Sequence, residues 1–469
     1  MKKTKIIATL GPASFNREMI RNLMRFGMDV ARINMSHKVE KSQLGRIVET
    51  IREESTKEGK SLALLFDLCG PKIRVGNLSQ EEFSIVKGQT YTLGNDACDI
   101  PLNLELEFTQ TSSGGLVKIN DGKLSFEITS IDKTVLRLMA LNSDVIQKGK
   151  GVNFPGIQLE LPSVTDKDRE DIKTAVELGA DWLAMSFVRS ANDYNEIKSI
   201  LDEVKADLPI IAKIEKPEAI INLGSIINSF DGILVARGDL GVEMPLQELP
   251  VLQKKIVNEC LQKRKPVIIA TQMLESMIHN SDPTRAEVND IANAIYDGAD
   301  AMMLSGETAI GEHPLEALQI MADISQTIDT DLDIQNFNRY IRQDSLLLQD
   351  TRGSICHAAM ILANDLAINS IVIMTETGLT AMKMAQYRPR ARIFALCTIP
   401  EVCYQLSLIW GVTPVLVKAY STTDELIEYS GKLLRDKGFV NSGDSFIITA
   451  GVSVGVSGST NMLKIHQVD

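Results

Sequence analysis

In IAKIE, Lys213 and Glu215 stand two residues apart, and in VARGDLG the acid Asp239 directly follows Gly238. Residues two apart on a strand share a face. One carboxylate from each of two neighbouring strands, with no histidine nearby, suits a hard cation held by oxygen, Mg2+ or Mn2+. Lys213 and Arg32 beside such an ion suit an anionic substrate, a phosphate or a carboxylate. The Gly238 and Asp239 amides would bind an anion if they open a helix. In VARINMS, period two puts Arg32, Asn34 and Ser36 on one face and Ala31, Ile33 and Met35 on the other. Thr271 ends the apolar run PVIIAT, and SGET at 305–308 follows another. The stretch LFDLCGPKIR ends an apolar run on Asp67, breaks at Gly70-Pro71 and then supplies Lys72 and Arg74.

Each residue alone has a plain explanation. An acid after a strand commonly caps the next helix, and a lone lysine at a rim can lay its stem on apolar surface. Neither explains why acids, bases and hydroxyls all fall at the ends of apolar runs. The five histidines show no ligand spacing, and only His37, which follows the Arg32 to Ser36 face, is placed to touch a ligand. GVSVGVSG at 451–458 lacks both the P-loop lysine and the dinucleotide spacing, and reads as a flexible loop.

Such residues need a frame that gathers strand ends. Apolar runs of strand length recur at 5–10, 29–34, 62–67, 182–187, 209–215, 232–236, 266–271 and 300–305. They read as buried parallel strands, and helix-like stretches separate most of them. That pattern predicts a (β/α)8 TIM barrel, whose catalytic groups sit at the C-terminal ends of its strands. Between the third and fourth runs lie more than a hundred residues of alternating segments with Gly, Asn and Asp turns, a small all-β insertion. Placed after the third strand, it would stand over the barrel mouth as a lid. A polar connector near 331–346 leads to a separate α/β unit. The expected domains are the barrel at 1–70 and 166–338, the β lid at 71–165 and the C-terminal α/β regulatory domain at 339–469.

Length and composition agree with a multidomain globular enzyme. The 469 residues are 44% hydrophobic and 23% charged, ordinary values for a soluble protein. A net charge of -12 argues against a nucleic-acid or anionic-membrane surface. Cys69, Cys98, Cys260, Cys356, Cys397 and Cys403 lie far apart with no C-x-x-C pair, which fits free, mostly buried thiols in a reducing cytoplasm. The short apolar run after the basic N-terminus suits no signal peptide, and no run is long enough to span a membrane.

RINMSH, IAKIE, ILVARGDLGVEMP, IIATQMLESMIHNSDPTRAE and AMMLSGETAIGEHP resemble, in order and over nearly the whole chain, the signature segments of the pyruvate kinase family. The resemblance implies transfer of the phosphoryl group of phosphoenolpyruvate to ADP, giving ATP and pyruvate, the last step of glycolysis, by a cytoplasmic homotetramer. It implies that Glu215 and Asp239 hold the divalent metal and that Lys213 neutralises the transferring phosphoryl group. The Gly238 and Asp239 amides and Thr271 would bind the substrate carboxylate, and Arg32 the phosphoryl group. Asn34, His37, Arg74 and Lys150 would reach the nucleotide phosphates, and Thr271 with a water relay would protonate the enolate. A metal-dependent 2-oxoacid lyase or aldolase is the alternative, opposed by Arg74 and Lys150, since an aldolase has no second phosphate to clamp. A binding or scaffold protein has no need of these residues at one mouth.

Two departures from the family pattern matter. The usual D-T-K-G-P-E-I-R reads here as DLCGPKIR, so Leu68, Cys69 and Lys72 replace Thr, Lys and Glu. The family's K+ is held by residues matching Asn34, Ser36, Asp67 and the Leu68 carbonyl. A lysine at 72 supplies a tethered charge instead, as in a K+-independent subgroup, so K+ is expected not to be required. The effector loop is Thr375, Glu376, Thr377, Gly378, Leu379, Thr380. Glu376 and Leu379 predict that a phosphorylated allosteric effector binds poorly, or is one other than fructose 1,6-bisphosphate.

Overall fold

The computed structural model describes residues 2–37, 39–95, 98–108, 113–157, 159–332, 350–420, 422–451 and 460–468. Eight runs rich in Val, Ile, Leu, Ala and Met form parallel strands: Lys5–Thr9, Val30–Asn34, Ala63–Asp67, Trp182–Met185, Ile210–Ile214, Gly232–Ala236, Val267–Ala270 and Ala301–Leu304. Each neighbours the next in sequence, and the eighth pairs with the first to close a barrel. Ala63–Asp67 and Gly232–Ala236 are buried throughout, as expected of strands covered on both sides. Four of the eight runs end one residue past their strand, and three of those residues, Glu215, Thr271 and Ser305, are polar groups at the barrel's strand ends.

Within this fold the chain forms two compact units: Met1–Phe66 with Glu177–Leu183 and Val257–Asp469, and Asp67–Val176 with Ala184–Ile256. In the second unit the inserted segment folds as a two-stranded and a six-stranded sheet. Its strands Leu116–Ile119, Leu124–Ile131 and Val135–Ala140 run antiparallel. Val117, Ile119, Phe126, Leu136 and Leu138 fill one core, the inward half of the alternation seen in the sequence. Asn120, Asp121 and Gly122 make the tight turn between two of these strands, all with positive φ, a conformation that Asn, Asp and Gly tolerate best.

The first unit carries the C-terminal sheet, with central parallel strands Ser370–Met374, Arg392–Cys397 and Ser445–Gly451. Its edges are Val412–Leu416, parallel, and Thr460–Gln467, antiparallel. Both edge strands escaped the sequence reading, for physical reasons. VTPVL holds a proline, tolerated only where one side of the ladder is unpaired, and TNMLKIHQ is largely polar because its edge meets water. The helix Pro400–Leu406 escaped it too. The sheet is joined to the barrel base: Lys5 Nζ donates to the Val412 carbonyl at 2.7 Å, and Arg388 donates to Asp300 at 2.7 Å. Nearby, buried Asp29 faces the ammonium groups of Lys2, Lys5 and Lys60.

Candidate active site

The fifth barrel strand, Ile210–Ile214, carries Lys213 near its C-terminal end, and Glu215 follows directly. Lys213 Nζ lies 3.1 Å from Glu215 Oε1 and 3.2 Å from Asp67 Oδ1, the residue that ends the third strand. Both carboxylates are only 1% exposed and Lys213 11%, so the three charges are held in a medium that strengthens their pairing. The ammonium also donates to Ser186 Oγ at 2.7 Å, and Ser186 donates to the Leu68 carbonyl at 2.6 Å. Glu215 accepts the Phe187 amide at 2.7 Å. Burial raises the Glu215 pKa, Lys213 opposes that, and Asp239 raises it further; the net direction is up.

Asp239 and Gly238 lie in the first turn of the helix Arg237–Glu243, so their amides do open a helix. Lys72 Nζ stands 3.0 Å from Asp239 Oδ1, with both side chains 24% exposed, and 5.8 Å from the Phe187 ring centre. In the inserted sheet Arg74 Nη1 donates to the Gly149 carbonyl at 2.9 Å, and the Lys150 carbonyl accepts the Val75 amide at 2.8 Å. Arg74 and Lys150 therefore lie on two paired segments, with both side chains partly exposed.

In the other unit Arg32 is buried and its Nη1 lies 2.9 Å from Thr9 Oγ1. Asn34 ends the second strand, the chain then turns, and the Ser36 amide donates to Asn34 Oδ1 at 3.1 Å. His37 is exposed. Thr271 has φ 72 and Gln272 φ 54, uncommon for any residue but glycine and most strained for a β-branched one. The Thr271 hydroxyl donates to the Ala270 carbonyl at 2.5 Å. Glu307 of SGET accepts the amides of Leu274 and Ser305 at 3.1 and 2.7 Å, which makes it a brace for these loops.

In the segment 375–380, expected from the family pattern to be an effector loop, Thr375 Oγ1 accepts the Gly378 amide at 2.9 Å, and Thr380 Oγ1 bonds to Thr460 Oγ1 at 2.8 Å. Both threonines are buried and Thr377 is exposed. Gly378 has φ 78 and opens the helix Leu379–Ala385. Of GVSVGVSG, only Gly451 is among the described residues; the rest of that call, like the connector over 333–349, lies outside them.

Among the described residues no three His, Cys, Asp or Glu side chains form a metal cage. Mg2+ does not need one, because it is commonly held by one or two carboxylates with substrate oxygens and water. Glu215 and Asp239, the second close enough to raise the pKa of the first, fit that role. The family description "Pyruvate kinase, barrel domain" matches residues 1–318, and "Pyruvate kinase, alpha/beta domain" matches residues 353–466. The chain belongs to the pyruvate kinase family. It is 39% identical to the pyruvate kinase of Staphylococcus aureus strain USA300 over 477 aligned positions, covering 100% of this chain and 81% of that protein. The pyruvate kinase of the bovine strain RF122 of the same species matches equally. The crystal structure of a pyruvate kinase from Cryptosporidium parvum superposes with a TM-score of 0.94 at 34% identity, covering 100% of this chain and 96% of that one.

Pyruvate kinases generally work with Mg2+ and K+, and nothing in these comparisons favours a lyase. Among the described residues no helix is long and apolar enough to cross a membrane. Sequence reasoning missed Ser186, Phe187 and Glu243, all of which touch the cluster or its neighbours. Ser186 had a signal: it is the one hydroxyl at the end of the apolar run WLAMSF. Phe187 had none, because it contributes a backbone amide.

Proposed function

We propose that this chain transfers the phosphoryl group of phosphoenolpyruvate to ADP, and that the residues the family pattern assigns carry the reaction here. The supporting observation is the ammonium of Lys213, set between buried Asp67 and Glu215 at a strand end. A charge fixed in advance in a poorly hydrated site stabilises a transferring phosphoryl group without reorganising. Glu215 and Asp239 would hold Mg2+ (or Mn2+), which supplies charge for the phosphoryl and enolate oxygens when bound. The Gly238 and Asp239 amides and Thr271 bind the carboxylate, and Arg32 binds the phosphoryl group. Asn34, His37, Arg74 and Lys150 take the nucleotide phosphates. Thr271, with a water, delivers the proton to the enolate. The domains act as a barrel (1–70, 166–338), a lid (71–165) and a regulatory unit (339–469) of a homotetramer.

In this reading K+ is dispensable. Lys72 does not extend into solvent but places its charge on Asp239. Two of the ligands expected for K+ already have protein partners: the Leu68 carbonyl accepts Ser186, and Asp67 faces Lys213. The effector loop is poorly equipped for a phosphate, because the Thr375 and Thr380 hydroxyls are engaged internally. A coupled assay for pyruvate, given phosphoenolpyruvate, ADP and Mg2+, tests the reading. Pyruvate formation that depends on ADP is the expected result, and none under any divalent ion overturns it.

A further inference from the structure

The helix Arg237–Glu243 is tied to the inserted sheet at both ends. At its first turn Lys72, on the chain leading out to the sheet, reaches Asp239 at 3.0 Å. At its last turn Asn153, on the returning strand, donates to Glu243 Oε1 at 2.8 Å, and Lys118 Nζ donates to the Val242 carbonyl at 2.8 Å. Lys118 and Asn153 are register partners in one antiparallel pair. The same Glu243 Oε1 accepts Lys216 Nζ at 2.6 Å, and Lys216 follows Glu215 directly. One buried oxygen thus joins the returning strand, the helix that carries Asp239 and the residue after Glu215.

Its depth argues for a specific role. The Glu243 side chain is 1% exposed, and a buried carboxylate brings little net stability over an apolar side chain of the same size. The helix is only seven residues long, too short to hold its own orientation without tertiary ties. Glu243 is four residues from Asp239, so the two share a helix face. A tilt at the last turn therefore moves the Asp239 carboxylate relative to Glu215.

We infer that Glu243 is a positioning residue that couples the placement of the inserted sheet to the spacing of Asp239 and Glu215. The inference rests on the reading of those two residues as the divalent-ion pair. It acts through Asn153 and Lys216, and Glu243 itself touches no substrate. Outer residues that orient metal ligands commonly change metal affinity about 10–100-fold when removed.

The test uses the full chain and measures Mn2+ binding by the loss of the free-ion resonance signal, without substrates. Glu243→Ala should weaken Mn2+ binding about tenfold or more and lower kcat more than it raises KM for phosphoenolpyruvate. Glu243→Gln keeps an acceptor for Asn153 and should restore part of both. Asn153→Ala leaves Glu243 paired with Lys216, so it folds even if Glu243→Ala does not, and should weaken Mn2+ measurably. The double variant should lose less than the sum. Mn2+ affinity and kcat within twofold of the parent for Asn153→Ala, or for folded Glu243→Ala, would overturn the inference, as would strict additivity. Turnover by the unmodified chain separately tests the proposed reaction.

Discussion

Replacing Lys213 by methionine keeps most of the side-chain volume and removes one charge. Two carboxylates, each 1% exposed and 3.1–3.2 Å from the lost ammonium, are left without it. At an effective dielectric near 20, each pairing is a gross attraction of roughly 5 kcal/mol. Desolvation offsets much of that, and breaking a buried pair from one side typically costs about 3–5 kcal/mol. The variant is therefore expected to unfold at lower urea, by about that free energy. Its catalytic loss should be larger than a stability loss explains. The missing charge is aimed at the migrating phosphoryl group, and removing such a contact lowers kcat by about 10²–10³ or more. Pyruvate formation should fall by that factor, while metal-assisted exchange of the pyruvate methyl protons, followed by NMR, should fall less. Lys213→Arg keeps the charge and should fold, yet still transfer slowly because the guanidinium cannot occupy the same point. A Lys213→Met protein that keeps most of its kinase rate would refute the assignment.

Full activity is expected when the only monovalent cation is a bulky quaternary ammonium; Lys72→Glu should lower it and let added K+ restore part, and strong K+ activation of the unmodified chain at constant ionic strength would contradict this. Calorimetry should find weak or no binding of fructose 1,6-bisphosphate; tight binding would show that the internal bonds of Thr375 and Thr380 yield to a phosphate. Burial raises the pKa of Asp29, but Lys2, Lys5 and Lys60 outweigh it and hold the carboxyl well below its ordinary value. A depressed acid stabilises the fold above its unfolded pKa and loses that contribution as pH falls towards the folded one. Asp29→Asn should therefore cost about 3–5 kcal/mol at both pH 7 and pH 6, with a gap to the parent that narrows below about pH 4; a gap independent of pH down to 3 would exclude the ion pairs as its source.

The order of strands and the identity of the strand-end residues were legible because each is a local matter. An apolar run of fixed length that stops at Asp67, Glu215 or Thr271 declares both a buried strand and a group at its end. The inserted sheet was legible for the same reason, since its alternation and its Asn120-Asp121-Gly122 turn are short-range patterns. Where local rules ran out, the reading failed: two edge strands were hidden by a proline and by polarity that only a sheet edge permits.

What only the tertiary structure decided is who meets whom. Lys213 and Glu215 share a strand face by period two, but only the barrel brings Asp67, 146 residues back in the sequence, against the same ammonium. Lys72 had no sequence neighbour to predict its contact with Asp239, 167 residues away. Nothing in the sequence around Glu243 marked it out, and only its meeting with Asn153 and Lys216 makes it a buried junction. Periodicity records which side of an element meets the core, because burial acts on each residue separately. Pair distances depend on how distant elements pack, and no short stretch of sequence carries that information.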